Sequence, residues 1–194
     1  MTRTATLDRR TNETAITGRI DLDGSGVSAV DTGLGFLDHM VVTLAKYAGF
    51  DLELSAVGDT VVDDHHTVED CAIVLGRGIT EALGDRVGIR RFGYAYAALD
   101  ESLVRTVVDL SGRPWHEVHL GFARDRIGDV ATENIIHFFR TLAIEARMAL
   151  HVDLIRGDND HHRAEAAFKA TALALRSAVE LTGADTPSTK GTLT

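Results

Sequence analysis

The sequence predicts an α+β protein made of two internally duplicated half-domains, each a small sheet layered with helices and related in a pseudo-twofold way. Three observations predict it. The block His65-His66-Thr67-Val68-Glu69 returns as His161-His162-Arg163-Ala164-Glu165, 96 positions later and close to half of the 194 residues. A single histidine precedes each block at a similar distance, His39 by 26 residues and His137 by 24. The stretches between carry the same landmarks: Thr43-Leu44-Ala45 and Thr141-Leu142-Ala143 after the single histidine, then Gly58-Asp59 and Gly157-Asp158 before the block. The two half-repeats are expected over residues 1–90 and 91–194.

Each element has its own signal. Ile16, Ile20 and Leu22 share one side of a strand from Ala15 to Leu22. Asp23-Gly24-Ser25-Gly26 then reads as a hairpin turn into Val27 to Val30. Phe36, Met40, Leu44 and Tyr47 fit one face of a helix that Gly49 ends. Leu52, Leu54 and Ala56 alternate as a strand. Val68, Cys71, Ala72, Leu75, Ile79 and Leu83 hold helical spacing, with Asp64 placed to cap that helix. In the second half, Leu103 to Leu110 reads as a strand ending in the turn Ser111-Gly112-Arg113-Pro114. Thr132 is placed to cap a helix reaching about Met148, and Leu150 to Ile155 is strand-like. Asp160 is placed to cap a final long helix with Ala164, Phe168, Leu175 and Val179 inward.

Composition narrows the function classes. A chain that is 44% hydrophobic over this length can bury a proper core. The net charge of −9 argues against nucleic acid as the main partner, because phosphate backbones demand clustered Lys and Arg. The start, Met1-Thr2-Arg3-Thr4-Ala5-Thr6, has no apolar signal region, and no apolar run approaches membrane-spanning length, so a cytoplasmic protein with no membrane partner is expected. Cys71 is the single cysteine, which rules out an intrachain disulfide. With two prolines and no low-complexity stretch, no long linker separates the halves.

The repeated histidines point to metal chemistry. Imidazole and carboxylate are common ligands of borderline transition metals, and His-His-x-x-Glu places three of them within one helical turn. At the start of a helix, His65 and Glu69 stand on one face at i and i+4. Adjacent histidines diverge by about 100° on a helix, so one block can face two metals. Each half thus offers four candidate ligands of the same kind: His39, His65, His66 and Glu69, then His137, His161, His162 and Glu165. Such a donor set suits Mn, Fe, Co or Zn. His151 falls on Glu53 when the halves are laid together, and His116 and His119 have no counterparts, so these three are read as non-ligands.

Several segments together resemble the imidazoleglycerol-phosphate dehydratase family: Gly35-Phe36-Leu37-Asp38-His39-Met40, Asp63-Asp64-His65-His66-Thr67-Val68-Glu69-Asp70, Asp109-Leu110-Ser111-Gly112-Arg113-Pro114, and Asn159-Asp160-His161-His162 running on to Glu165-Ala166-Ala167-Phe168-Lys169-Ala170. The resemblance runs from Asn12-Glu13-Thr14 to Ser188-Thr189-Lys190-Gly191. One departure is Ala98-Leu99-Asp100-Glu101-Ser102, where the family usually has Pro-Met-Asp-Glu-Ala; the acidic pair survives. The resemblance implies a lyase of histidine biosynthesis that dehydrates D-erythro-imidazole glycerol phosphate to imidazole acetol phosphate. It also implies Mn2+, two per active site, and a homo-oligomer of 24 subunits with sites at subunit contacts.

By the same resemblance Glu13 is the expected general acid/base, with Glu69 and Glu165 also in the catalytic set. Arg91, Arg113, Lys169, Ser188 and Lys190 are expected at the substrate and its phosphate, joined by Glu13 and His39. The chemistry fits these types: the bonds to be broken lie on the side chain beside the ring, where a Lewis acid helps, and a dianionic phosphate needs forked donors and point charges. Two rival classes use the same residues. Binuclear metal-assisted hydrolysis would release phosphate, and a metal-stapled structural protein would saturate its ions while leaving Arg91, Arg113 and Lys190 without a task.

Overall fold

The computed structural model describes residues 2–193; Met1 and Thr194, the outer ends of the two expected half-repeats, lie outside them. The first half runs β1 (Thr4–Arg10), β2 (Thr14–Asp21), β3 (Ser28–Asp31), α1 (Gly35–Ala48), β4 (Asp51–Gly58) and α2 (His65–Leu83). The second runs β5 (Phe92–Leu99), β6 (Ser102–Asp109), β7 (Trp115–His119), a short ribbon of β8 (Arg126–Ile127) and β9 (Val130–Ala131), then α3 (Thr132–Glu145), β10 (Ala149–Arg156) and α4 (Asp160–Val179). The ribbon aside, the halves repeat one order. Their sheets are β1-β2-β4-β3 and β5-β6-β10-β7, with the last pair parallel and the other two antiparallel in both.

The alternation read in the sequence sets which face of each sheet is buried. Ile16 and Ile20 of β2, with Leu52, Leu54 and Ala56 of β4, point into the core, as do Val104 and Val108 of β6 and Leu150 and Val152 of β10. Helix α2 covers β1 and β2, and α4 covers β5 and β6. The helices of the two halves then meet each other, α1 against α4 and α2 against α3. The result is one continuous apolar core with helices inside and sheets outside. Phe139 and Phe168, 4.6 Å apart between ring centroids, join α3 to α4 within it.

Several expectations are corrected. Segments β2 and β3 form no hairpin; β3 pairs in parallel with β4. The Asp51 carboxylate accepts from the backbone N–H of Ser25 (2.8 Å) and Val27 (2.9 Å), which carries the 23–27 loop past the end of β4 to its far edge. Tyr47 is 41% exposed, and Leu37 and Val41 help fill the buried face of α1 in its place. Helix α3 stops at Glu145, where Arg147 takes a left-handed φ of 49°. Asp64 holds the expected N-cap position of α2 but makes no side-chain capping bond, whereas Thr132 and Asp160 are the first residues inside their helices and not the caps. Asn159 caps α4 by accepting from His161 N–H, while Asp64, Asp160 and Thr132 turn to other elements.

Candidate functional site

The helix pairs that close the core also gather the imidazoles. Where α2 meets α3, His65, Glu69 and His137 bring their ligand atoms within 4.8 Å of one another. His137 Nε2 lies 2.9 Å from Glu69 Oε1, and the His65 and His137 rings stack with centroids 5.0 Å apart. Where α1 meets α4, His39, His161 and Glu165 form a second trio within the same limit. There Glu165 Oε2 lies 3.1 Å from His39 Nε2 and 3.4 Å from His161 Nε2. Each trio takes two residues from one His-His-x-x-Glu block and its lone histidine from the other half.

The second histidine of each block turns away, as a step of about 100° along a helix requires. His66 Nδ1 lies 3.1 Å from both carboxylate oxygens of Asp59, and its Nε2 is 3.7 Å from Glu13 Oε1. His162 Nδ1 lies 2.7 Å from Glu101 Oε2, and its Nε2 is 3.9 Å from Asp100 Oδ2. Glu13 and Glu101 occupy matching places, immediately before β2 and β6. The Asp59 carboxylate holds the His66 ring nitrogens above their ordinary range, and Glu13 adds to it. The hydrogen bond from His162 keeps Glu101 well below the usual carboxylate range, helped by Asn159 N–H. Burial pushes the Glu165 carboxyl up, but Lys169 and His39 outweigh it and leave it lowered.

Three polar residues at this site received no site role from the sequence: Asp59 and Glu101, seen there only as a landmark and one of an acidic pair, and Asn134. Asn134 Oδ1 accepts from His65 Nδ1 at 2.9 Å, while its Nδ2 donates to Asp64 at 2.9 Å. Asp64 is 3% exposed and also accepts from Ala131 N–H at 2.8 Å. The doubled Gly-Asp landmark was the available signal for Asp59. For Asn134 the only signal was its place one helical turn before His137.

The expected phosphate ligands divide. Arg91, Arg113, Ser188, Thr189 and Lys190 line one pocket, so four of the five come together. Arg91 is forked onto Asp109 at 2.7 and 3.1 Å and donates to Pro187 O at 2.9 Å, which ties the tail to the end of β6. Lys169 stands apart, its Nζ 2.8 Å from Glu165 Oε1 and 5.7 Å from the Tyr47 ring centroid. His151 is exposed on β10, His116 lies on β7, and His119 pairs with Glu117 at 3.3 Å; none joins a trio among the described residues.

Chemically, each trio presents two imidazoles and one carboxylate, half-exposed and close enough to share one cation, a donor set that fits a borderline divalent ion. The hydrogen bond behind His65 is the usual outer support of a ligating imidazole. The pocket gathers the cationic side chains of Arg91, Arg113 and Lys190 with the hydroxyl-bearing Ser188 and Thr189, residue types that suit a phosphate.

A family profile described as imidazoleglycerol-phosphate dehydratase matches residues 32–175. Curated proteins with that same description are similar over most of the chain. The one from Candida glabrata is 51% identical, covering 97% of this chain and 99% of its own length. The one from Chlorobium chlorochromatii is also 51% identical, covering 97% and 96%. Against the Phytophthora nicotianae protein, 54% identical, the chain spans 42% of that protein's length. Among solved structures, imidazoleglycerol-phosphate dehydratase from Staphylococcus aureus superposes with a TM-score of 0.83 at 37% identity, over 92% of this chain and all of its own. The Pyrococcus furiosus structure, solved in complex with (S)-C348, gives 0.84 at 34% identity over 96% of this chain and all of its own.

Proposed function

The chain belongs to the imidazoleglycerol-phosphate dehydratase family, and from that premise we propose that it is a metal-dependent lyase removing water from D-erythro-imidazole glycerol phosphate in L-histidine biosynthesis. The observation that carries the proposal is the pairing of two His-His-Glu trios with a basic pocket in a chain about half identical to such dehydratases throughout its length.

The proposed cofactor is Mn2+, two ions per active site, held by His39, His161 and Glu165 and by His65, Glu69 and His137. His66 and His162, turned from the trios of their own chain, are proposed to complete sites across subunit contacts. When bound, the ions supply Lewis acidity and a template for the imidazole ring. The phosphate is assigned to Arg91, Arg113, Ser188 and Lys190, whose charges fix one end of the substrate and so orient the other. Lys169 is assigned to the substrate at the second trio, together with His39. Glu13, with an exposed carboxylate beside His66, is assigned the proton on the second side-chain carbon from the ring. That proton leaves as water with the hydroxyl of the ring-bearing carbon, giving an enol whose remaining hydroxyl is on the second carbon and which becomes the ketone there. Glu69 and Glu165 serve this step by orienting the imidazoles around them.

The proposed state is a large homo-oligomer, 24 subunits in the family pattern, in the cytoplasm. Phe92, Tyr94, Tyr96 and Trp115, each more than half exposed on the second sheet, support burial against another subunit. Among the described residues no helix is long and apolar enough to cross a membrane. The activity is tested by adding imidazole glycerol phosphate to Mn2+-loaded protein and following the ultraviolet absorbance of the ketone. Absorbance that grows with enzyme and disappears on chelation is expected. Release of inorganic phosphate without ketone would mean a hydrolase instead.

A further inference from the structure

The two trios occupy equivalent places in the two halves, so a difference between them is not imposed by the fold. Two differences stand out. Three residues before the lone histidine of α3 is Asn134; three residues before that of α1 is Phe36. The Asn134 amide is polarised from behind. Its NH2 donates to the buried Asp64 carboxylate, so its oxygen faces His65 and can only accept. His65 Nδ1 must then carry the proton, and the Nε2 lone pair is left on the side of Glu69. At the matching position Phe36 offers no acceptor and meets the His161 ring edge-on, centroids 5.2 Å apart. Asp160, the counterpart of Asp64, is occupied by the N–H groups of Ala123 and Arg124 and by the Arg163 guanidinium.

The second difference is one of charge. Four residues after Glu165 comes Lys169, whose ammonium sits 2.8 Å from Glu165 Oε1; four residues after Glu69 comes Ile73. Both Lys169 and Glu165 are largely sheltered, with side chains 16% and 15% exposed, so their attraction is less screened than on an open surface. A cation arriving at Glu165 shares that carboxylate with a charge of its own sign. A cation arriving at Glu69 meets no such competitor along the helix.

We infer that the two trios are unequal metal sites: the α2–α3 trio, with His65 fixed by Asn134 and Asp64, holds its ion tightly, and the α1–α4 trio, with Glu165 shared by Lys169, holds an exchangeable one. The inference rests on the proposed reading that the trios bind metal at all. It makes Asn134 a positioning residue for one ion and Lys169 a weakening residue for the other.

The test is titration of the metal-free full chain with Mn2+, reading free ion by electron paramagnetic resonance. Two steps of one ion per subunit are expected, separated by about 10–100-fold in affinity, the usual effect of an outer partner on a ligating imidazole. Asn134→Ala should weaken the tight step by about that factor and leave the other in place. Lys169→Met should strengthen the weak step by about tenfold or more, since it removes a like charge from a sheltered site. The methionine variant keeps the question open to refutation even if the Asn134 variant does not fold. Two equal steps in the unaltered chain, or a Lys169→Met isotherm identical to it, would overturn the inequality while metal binding stood. No bound Mn2+ in any form would overturn the metal reading, and this inference with it.

Discussion

His151 and His161 lie ten residues apart, yet one stands on the open face of β10 and the other at the start of α4 beside Glu165. Proximity in sequence gives neither a role; the helix–helix contact does, by adding His39 from the other half. Substituting His65 or His161 with Ala should therefore abolish activity and remove about one metal equivalent per subunit, a ligand's usual share. His151→Ala should keep both, as elemental analysis of the purified variants would reveal. A His151 variant depleted like the others would place a ligand outside the repeated set. Cys71 gives a second prediction at this scale. It is fully buried on α2, and burial pushes its thiol up to about 12. A thiol in that state is not a nucleophile at neutral pH. Iodoacetamide should leave the native protein unmodified at pH 8 and alkylate Cys71 after denaturation; rapid alkylation of the native form would contradict its burial.

Between elements, α2 and α3, which together carry one trio, approach each other closely. A Cβ added at Gly76 would stand 2.9 Å from Ala146 N and 3.0 Å from Leu142 O, so only glycine lets the two helices meet at this depth. Gly76→Ala should push them apart, costing about 1–3 kcal/mol as overpacking does, and loosen the trio that spans them. Urea unfolding against Mn2+ affinity would measure both effects, and a variant with unaltered stability and affinity would show the contact to be soft. A pH dependence belongs to the loop held by Asp51, whose carboxyl is lowered chiefly by the Ser25 and Val27 N–H groups. A lowered folded-state pKa gives stability that is complete above the unfolded value of about 3.9 and lost as pH falls through the folded one. Asp51→Asn should thus destabilise at pH 7, and the gap between its urea midpoint and that of the unaltered chain should begin to close only as pH falls below about 3.9. Both α2 and α4 could be read from their apolar spacing, since Val68 to Leu83 and Ala164 to Val179 are buried as that spacing requires. Strand β5 could not, because its inward positions are the small Gly93 and Ala97 while its tyrosines face outward. The β3–β4 pairing was equally hidden, as it depends on a side chain of β4 gripping a loop more than twenty residues earlier. The trio membership was half legible: one block supplies an i, i+4 pair by helix geometry, but which lone histidine joins it depends on packing between the halves.

For the molecule as a whole, each trio is assembled from both halves, so neither half alone can present a complete set of three. On the proposed reading, a complete metal site therefore requires both halves to be folded together. A cation held by three protein donors still has positions to fill. His66 and His162 are directed elsewhere, each backed at Nδ1 by a carboxylate and so ready to ligate through Nε2. On the proposed reading they reach the trios of neighbouring subunits, and metal then binds only the assembled form and stabilises it by mass action. Chelation should shrink the particle in light scattering, and added Mn2+ should restore size and activity together. The tail makes a separate contribution. Ser188, Thr189 and Lys190 line the pocket with Arg91 and Arg113, away from both trios. Removing the chain from residue 188 onward should spare the particle but raise KM by about 10–100-fold, since hydrogen bonds between charged groups contribute about 1.5–3 kcal/mol each. The two outcomes are independent: a chelated protein of unchanged mass would disprove metal bridging, whereas a truncated enzyme with unaltered KM would remove the tail from the phosphate site.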